Sequence, residues 1–235
     1  MPAHLKIGGI QPFTTIDFPG KLAAVIFLKG CNLRCAYCHN PELVNGDSDS
    51  PEISWEKVIE FLKKREGFLD GVVISGGEPT IYPDLSLALK ELRKLKMEIA
   101  LHTNGCFPES LAKILSENLV DFVAMDIKAP FEHYRKISKI GDGFATRESV
   151  KELISSRIPH EFRSTIHPDL LGKKSILEMA SEMKNLGAKT FVLQEFKPGK
   201  LLEPSLTKST LPWLNKETFY EFKKYFSGFA IRGQV

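Results

Sequence analysis

Six short apolar runs, at residues 22–28, 71–74, 98–101, 120–125, 160–166 and 190–196, are separated by five segments whose apolar residues recur at helical spacing. The helical segments are 51–64, 85–96, 108–116, 147–155 and 173–186. In the first, Ser54 is placed to cap, and Trp55, Val58, Ile59 and Leu62 share a face; in the second, leucines stand at 85, 89, 92 and 95. Strands that are apolar on both faces and alternate with helices imply parallel βαβ units, because helices cover both sides of such a sheet. The expected class is α/β, as a partial (β/α)6 barrel of the TIM type, with a cysteine-rich loop after the first core strand. A doubly wound sheet is the alternative, since periodicity does not give strand order. In either shape ligands gather at the carboxyl ends of the strands.

The 235 residues, 43% of them hydrophobic, are read as one domain spanning 1–235. Residues 1–20 are read as an N-terminal extension. Residues 204–235 supply a connector at 204–212, a last helix at 217–226 and a short strand at 229–231. The 32 basic and 29 acidic residues leave +3, which gives no argument for a nucleic-acid or membrane partner. The longest strongly apolar run, 22–28, is far short of the ~20 residues a membrane helix needs. No secretory signal is visible at Met1-Pro2-Ala3-His4, so a cytoplasmic location is expected.

Cysteine usage points to chemistry. Cys31, Cys35 and Cys38 fall within eight residues and Cys106 stands apart, a distribution poorly suited to two ordinary disulfides. The loop Gly30-Cys31-Asn32-Leu33-Arg34-Cys35-Ala36-Tyr37-Cys38-His39-Asn40 follows a strand directly. Three thiolates on it can converge on one metal centre. An iron-sulfur cube tied by three sulfurs keeps one iron open to another ligand. Structural zinc would need His39 or Cys106 as a fourth ligand, and a dithiol reading leaves Cys31 unused.

The C-x3-C-x2-C loop, with Tyr37 before its last cysteine and with Gly76-Gly77-Glu78-Pro79 after the next strand, resembles the signature of the radical S-adenosylmethionine enzymes. The resemblance implies a [4Fe-4S] cluster on Cys31, Cys35 and Cys38, with the methionyl amino and carboxylate groups of S-adenosylmethionine on the fourth iron. It implies Tyr37 near the adenine and the loop of Gly76, Gly77, Glu78 and Pro79 beside the methionyl ammonium. The two glycines are permissive and leave room for close backbone approach. Reduction of the cluster by an external one-electron donor such as flavodoxin or ferredoxin would then cleave the sulfonium to methionine and a 5'-deoxyadenosyl radical.

Further motifs narrow the resemblance. Gly8-Gly9-Ile10, Asp17-Phe18-Pro19-Gly20, Cys38-His39-Asn40-Pro41 and Phe162-Arg163-Ser164-Thr165 are similar to anaerobic ribonucleoside-triphosphate reductase activating proteins. This implies hydrogen abstraction from a glycine of a separate reductase. Thr103-Asn104-Gly105 resembles a strand-end segment of glycyl-radical activases, where Asn104 would bond the ligand or orient the loop. Those activases carry an acidic residue where this chain has His102, which weakens an alkali-cation site there. Asp126 and Lys128 resemble nucleotide-facing residues and alternate to one side of a strand; Arg163 and Thr165 do the same on the next. Glu161 is assigned to the opposite, helix-facing or edge side. Phe196 stands where a related pattern has histidine, against pyruvate formate-lyase as substrate. His167 is read as a turn residue or an orienting group, and Cys106 as a packed thiol. Arg232-Gly233 lacks the larger pattern of a glycyl-radical domain, so the target is expected in another protein. Alternatives are modification of another peptide, an RNA or a small molecule, or a non-catalytic iron-sulfur electron-transfer module.

Overall fold

Alternating apolar side chains resolve into one eight-stranded sheet whose spatial order is also its sequence order. The computed structural model describes residues 5–46, 52–207, 211 and 214–233. The amino-terminal tetrapeptide, the expected helix start at Pro51, and positions 208–210 and 212 of the expected connector lie outside the described residues. The strands are β1 (Ile7–Thr14), β2 (Ala23–Leu28), β3 (Gly71–Gly76), β4 (Glu98–Thr103), β5 (Phe122–Asp126), β6 (His160–Ile166), β7 (Thr190–Glu195) and β8 (Gly228–Arg232). All ladders from β2 to β8 are parallel. Strand order without a reversal excludes the doubly wound alternative. Among the described residues no ladder joins β8 to β1, so the barrel stays open on that side.

Two differences from the sequence expectation have local causes. The segment read as an extension contains β1, which pairs antiparallel with β2. Gly8, Gly9 and Pro12 mask its strand character, and irregular register between Gln11 and Thr14 accommodates the proline at this edge. The short terminal strand expected at 229–231 is β8, and by pairing with β7 it lengthens the expected six-stranded parallel run.

The helices are α1 (Pro41–Val44), α2 (Trp55–Lys63), α3 (Leu85–Arg93), α4 (Pro108–Ser116), α5 (Arg135–Ser138), α6 (Gly143–Ser156), α7 (Lys173–Asn185) and α8 (Lys216–Lys223). The Ser54 side chain accepts the Lys57 N–H at the start of α2, as its sequence position suggests. Helix α6 begins four residues before the expected 147, because the Asp142 carboxylate accepts the Phe144 N–H and starts the helix inside a polar stretch.

Period-two alternation separates two apolar clusters. Ala24, Ile26, Leu28, Val72, Ile74, Ile99, Leu101, Val123 and Met125 face the helices. Phe18, Ala23, Val25, Val73, Ala100, Phe122 and Ala124 fill the barrel interior, with Phe18 stacked on Phe122 at 5.8 Å. Each large side chain buried in this floor contributes about 1.5–3 kcal/mol. Beyond the floor, the same inward-facing series turns polar, which positions a site at the carboxyl edge.

Candidate functional site

The cysteine loop is laid down by backbone contacts. Gly30 adopts φ +82° and donates its N–H to Leu43 O at 2.7 Å, reversing the chain after β2. Cys31 N–H bonds Val44 O, Arg34 N–H bonds Ser138 O, and Cys38 N–H bonds Cys35 O at 3.0 Å. The Arg34 guanidinium turns inward on its own loop, reaching Cys31 O at 2.8 Å and Leu33 O at 2.9 Å. Leu33 N–H points at Cys31 Sγ from 3.4 Å. Cys35 is buried, and Cys31 and Cys38 are partly so. Burial pushes the Cys31 thiol up to about 12 and the Cys35 thiol up to about 11.

Gly76 and Gly77 are required by this loop as well as by any ligand. Gly76 lies at φ +121°, and a Cβ there would meet Leu28 O at 2.2 Å; a Cβ on Gly77 would meet Gly30 O at 2.0 Å. The two strand-end loops are joined by backbone bonds, Gly77 N–H on Leu28 O and Glu78 N–H on Gly30 O, both at 2.8 Å, and the Tyr82 hydroxyl adds a bond to Lys29 O at 2.7 Å.

Glu78 is fully buried and nearly saturated. Its Oε1 accepts from Thr80 N–H at 3.0 Å, from the Thr80 hydroxyl and from the Thr103 hydroxyl at 2.6 Å, and Oε2 accepts the Asn104 N–H at 2.6 Å. Burial pushes this carboxyl above its usual range against the pull of those donors. Remaining acceptor capacity is therefore on Oε2. The Asn104 side chain reaches Asn32 Oδ1 at 2.8 Å, lies 4.0 Å from Cys31 Sγ, and accepts the Cys106 N–H at 2.9 Å. These bonds tie Asn104 to its own loop and to Asn32. Cys106 sits half-buried 3.7 Å from the Thr146 hydroxyl.

Across the cavity Asp126 collects two cations. Arg163 Nε donates to Oδ1 at 2.9 Å and Lys128 Nζ to Oδ2 at 3.0 Å. Burial opposes ionisation of Asp126, but Arg163 and then Lys128 overcome it and hold the carboxyl well below the usual range. Lys128 also stands 5.6 Å from the Tyr37 ring centroid. Tyr134, which sequence reasoning missed inside a polar stretch, accepts the Lys128 N–H and donates to Asp126 O. His102 is tied to Asp17 O through Nε2 at 2.8 Å, and burial pushes its ring down to about 3.

One cavity is lined by Cys31, Cys35, Cys38, Tyr37, Gly76, Gly77, Glu78, Asn104, Asp126, Lys128 and Arg163, all predicted from sequence. Two predicted residues are outside its lining. Pro79 opens the short helical turn Pro79–Ile81 behind the loop. Thr165 lines a neighbouring cavity with Asp17, Gln194 and Arg232, which shares Arg163 with the first. Glu161 corrects its assignment: it lies two residues from Arg163 on the same inward face and is gripped by Arg232 at 2.8 and 2.6 Å. His167 is buried behind Phe196, its ring edge-on at 4.8 Å, and lines neither cavity.

With that geometry in place, residues 25–174 match the model of the radical SAM superfamily. The chain belongs to the radical SAM superfamily. A provisionally named glycyl-radical enzyme activating enzyme of Methanocaldococcus jannaschii is 31% identical, over 96% of this chain and 95% of its own. The pyruvate formate-lyase-activating enzyme of Clostridium pasteurianum is 30% identical over 77% of each chain. Likeness of that extent puts this radical SAM enzyme among the glycyl-radical enzyme activating enzymes. Streptococcus suis SuiB, solved bound to S-adenosylmethionine, matches with a TM-score of 0.68 at 16% identity, covering 86% of this chain and 48% of its own. This chain thus spans about half of SuiB, and at that identity the likeness shows the shared fold.

The cofactors of this radical SAM enzyme are a [4Fe-4S] cluster and S-adenosylmethionine. The residues present fit both. Three thiols border one volume, as a cube with separate corners requires. Among the described residues the buried Tyr37 Oη has no hydrogen-bond partner, and the Lys128–Asp126–Arg163 set carries a surplus positive charge at that volume. Among the described residues no helix is long and apolar enough to cross a membrane.

Proposed function

We propose that this chain, as a single radical SAM domain acting in the cytoplasm, generates a glycyl radical on a partner anaerobic ribonucleotide reductase. The observation that carries the reading is one cavity bordered by the three loop thiols together with Glu78, Asp126, Lys128 and Arg163. In it Cys31, Cys35 and Cys38 would hold the cluster. Bound there, the cluster would supply one-electron reduction of S-adenosylmethionine, drawn from a flavodoxin or ferredoxin, and so the means of hydrogen abstraction from the glycine.

The chain's own residues bind and orient. Glu78 Oε2 and the backbone of Gly76 and Gly77 would accept from the methionyl ammonium, and Pro79 fixes the turn that follows. Lys128 and Arg163, already aligned by Asp126, offer donors to carboxylate or ribose oxygens, the arginine as a planar fork. Tyr37 would lie against the adenine. Asn104 holds the Cys31 end of the loop through Asn32. The adjoining cavity, with Thr165 and Gln194, also takes Asp17 and Arg232 from the two edges of the open barrel and would admit a peptide segment.

A second partner is favoured by the Clostridium pasteurianum relative, whose name specifies pyruvate formate-lyase activation. Anaerobic reconstitution, iron and sulfide assay, and incubation with S-adenosylmethionine and a reductant should yield 5'-deoxyadenosine. Adding ribonucleotide reductase should then give a glycine-centred electron paramagnetic resonance doublet. A doublet only with pyruvate formate-lyase would move the assignment to that enzyme, and nucleotide cleavage without either doublet would sink the glycyl-radical reading.

A further inference from the structure

After β7 the chain does not leave the site. Residues 196–207 cross the Cys38 end of the cysteine loop and bind it at several points. Leu202 N–H donates to Cys38 O at 3.1 Å and Glu203 N–H to Ala36 O at 3.0 Å. His39, next to Cys38, donates Nε2–H to Lys197 O at 2.7 Å. Its ring stacks on buried Phe196 with centroids 6.0 Å apart and planes 24° apart.

The segment is also fastened at both of its own ends to the end of β6. Phe196 N–H bonds Ile166 O at 3.2 Å and the Phe196 ring meets His167 edge-on. At the other end, buried His167 reaches Thr207 O through Nε2 at 2.9 Å. A strip held at two points on β6 and bonded in its middle to carbonyls 36 and 38 constrains Tyr37 and Cys38 from outside the cavity they line.

We propose that residues 196–207 are a clamp on the cluster loop and that His39 is the positioning residue that couples the clamp to Cys38. This rests on the assignment of Cys38 to the cluster. Phe196 thereby has a role, as the platform on which His39 stacks. The two ends of the loop are then held by different parts of the chain: Cys31 by its N–H on Val44 O and through Asn32 and Asn104, and Cys38 by a strip distant in sequence. Loss of outer-shell groups that orient metal ligands commonly costs about 10–100-fold in metal affinity or activity.

The test uses the full chain, reconstituted anaerobically, as wild type, His39→Ala, His39→Gln and Phe196→Leu. Iron loss to a bathophenanthroline chelator is followed with and without S-adenosylmethionine. Loss from His39→Ala and Phe196→Leu should be about tenfold faster than from wild type. His39→Gln, which keeps a donor in reach of Lys197 O but not the ring, should fall between. Hydrogen exchange at Leu202 and Glu203 in the cluster-loaded protein should quicken with the same order. Equilibrium unfolding of the cluster-free variants controls for general weakening. Wild-type iron loss in both His39→Ala and Phe196→Leu overturns the clamp, as does a cluster-free stability loss large enough to account for faster release. A wild-type chain that takes up no iron and sulfide overturns the assignment of the cysteines, and the clamp with it.

Discussion

Phe122 and Asp126 lie on β5, face the same interior and are separated by one inward position, Ala124, yet they belong to different worlds. Phe122 stacks on Phe18 in an apolar floor, whereas Asp126 is held by two cations at the mouth. The same alternation that makes the floor a core makes the mouth a site; only the distance along the strand changes. Floor positions trade in area removed from water, and mouth positions trade in fixed charge and directed donors. Mutations should separate the two kinds of contribution.

The largest effect is expected at the mouth's three loop thiols. Cys35→Ala should abolish iron-sulfide incorporation and 5'-deoxyadenosine formation altogether while leaving far-UV circular dichroism unchanged. Phe122→Ala should do the converse: a loss of about 3 kcal/mol in denaturant unfolding, with nucleotide cleavage retained by the folded fraction. A finding that Phe122→Ala abolishes cleavage at full folding would erase the division between floor and mouth.

Asp126→Asn tests the boundary between them and should cost about 2 kcal/mol in unfolding free energy near neutral pH. Because its folded carboxyl is held below the ordinary range, wild-type Asp126 supplies that stabilisation above the unfolded value and loses it as pH falls through the acidic range. The gap between variant and wild type should accordingly narrow in acid. His102 works in the same direction, over a higher window. Its folded value of about 3 lies below the ordinary 6.5, so between those values the unfolded chain binds the extra proton. Wild-type stability should fall with falling pH across that window by at most about 1.4 kcal/mol per pH unit. His102→Gln, which keeps a donor near Asp17 O, should flatten that slope in pH-dependent unfolding curves.

Much of the mouth was legible because its motifs are local. The cysteine spacing, the double glycine and Thr103-Asn104-Gly105 each follow a strand, and a strand end in a parallel sheet is where a site forms. Parity also brought Asp126, Lys128 and Arg163 together. It was misapplied at Glu161, whose inward direction follows from being two residues before Arg163. Tyr134 had no signal: it lies in a polar stretch whose short helices were not visible, and its value comes from bonds to both Lys128 and Asp126. Strand β1 was hidden because two glycines and a proline weaken propensity at an edge where pairing with β2 compensates.

The sequence alone determined the strand and helix alternation, the polar strand ends and the three-thiol loop, since periodicity and spacing act over a few residues. Tertiary structure decided that Glu78 uses most of its acceptor capacity on Thr80, Thr103 and Asn104, that Gly76 and Gly77 seat one loop on another, and that residues 196–207 return to the cysteine loop. Those contacts join residues far apart in the chain, and they exist only once the curving sheet has brought its strand ends around a common cavity.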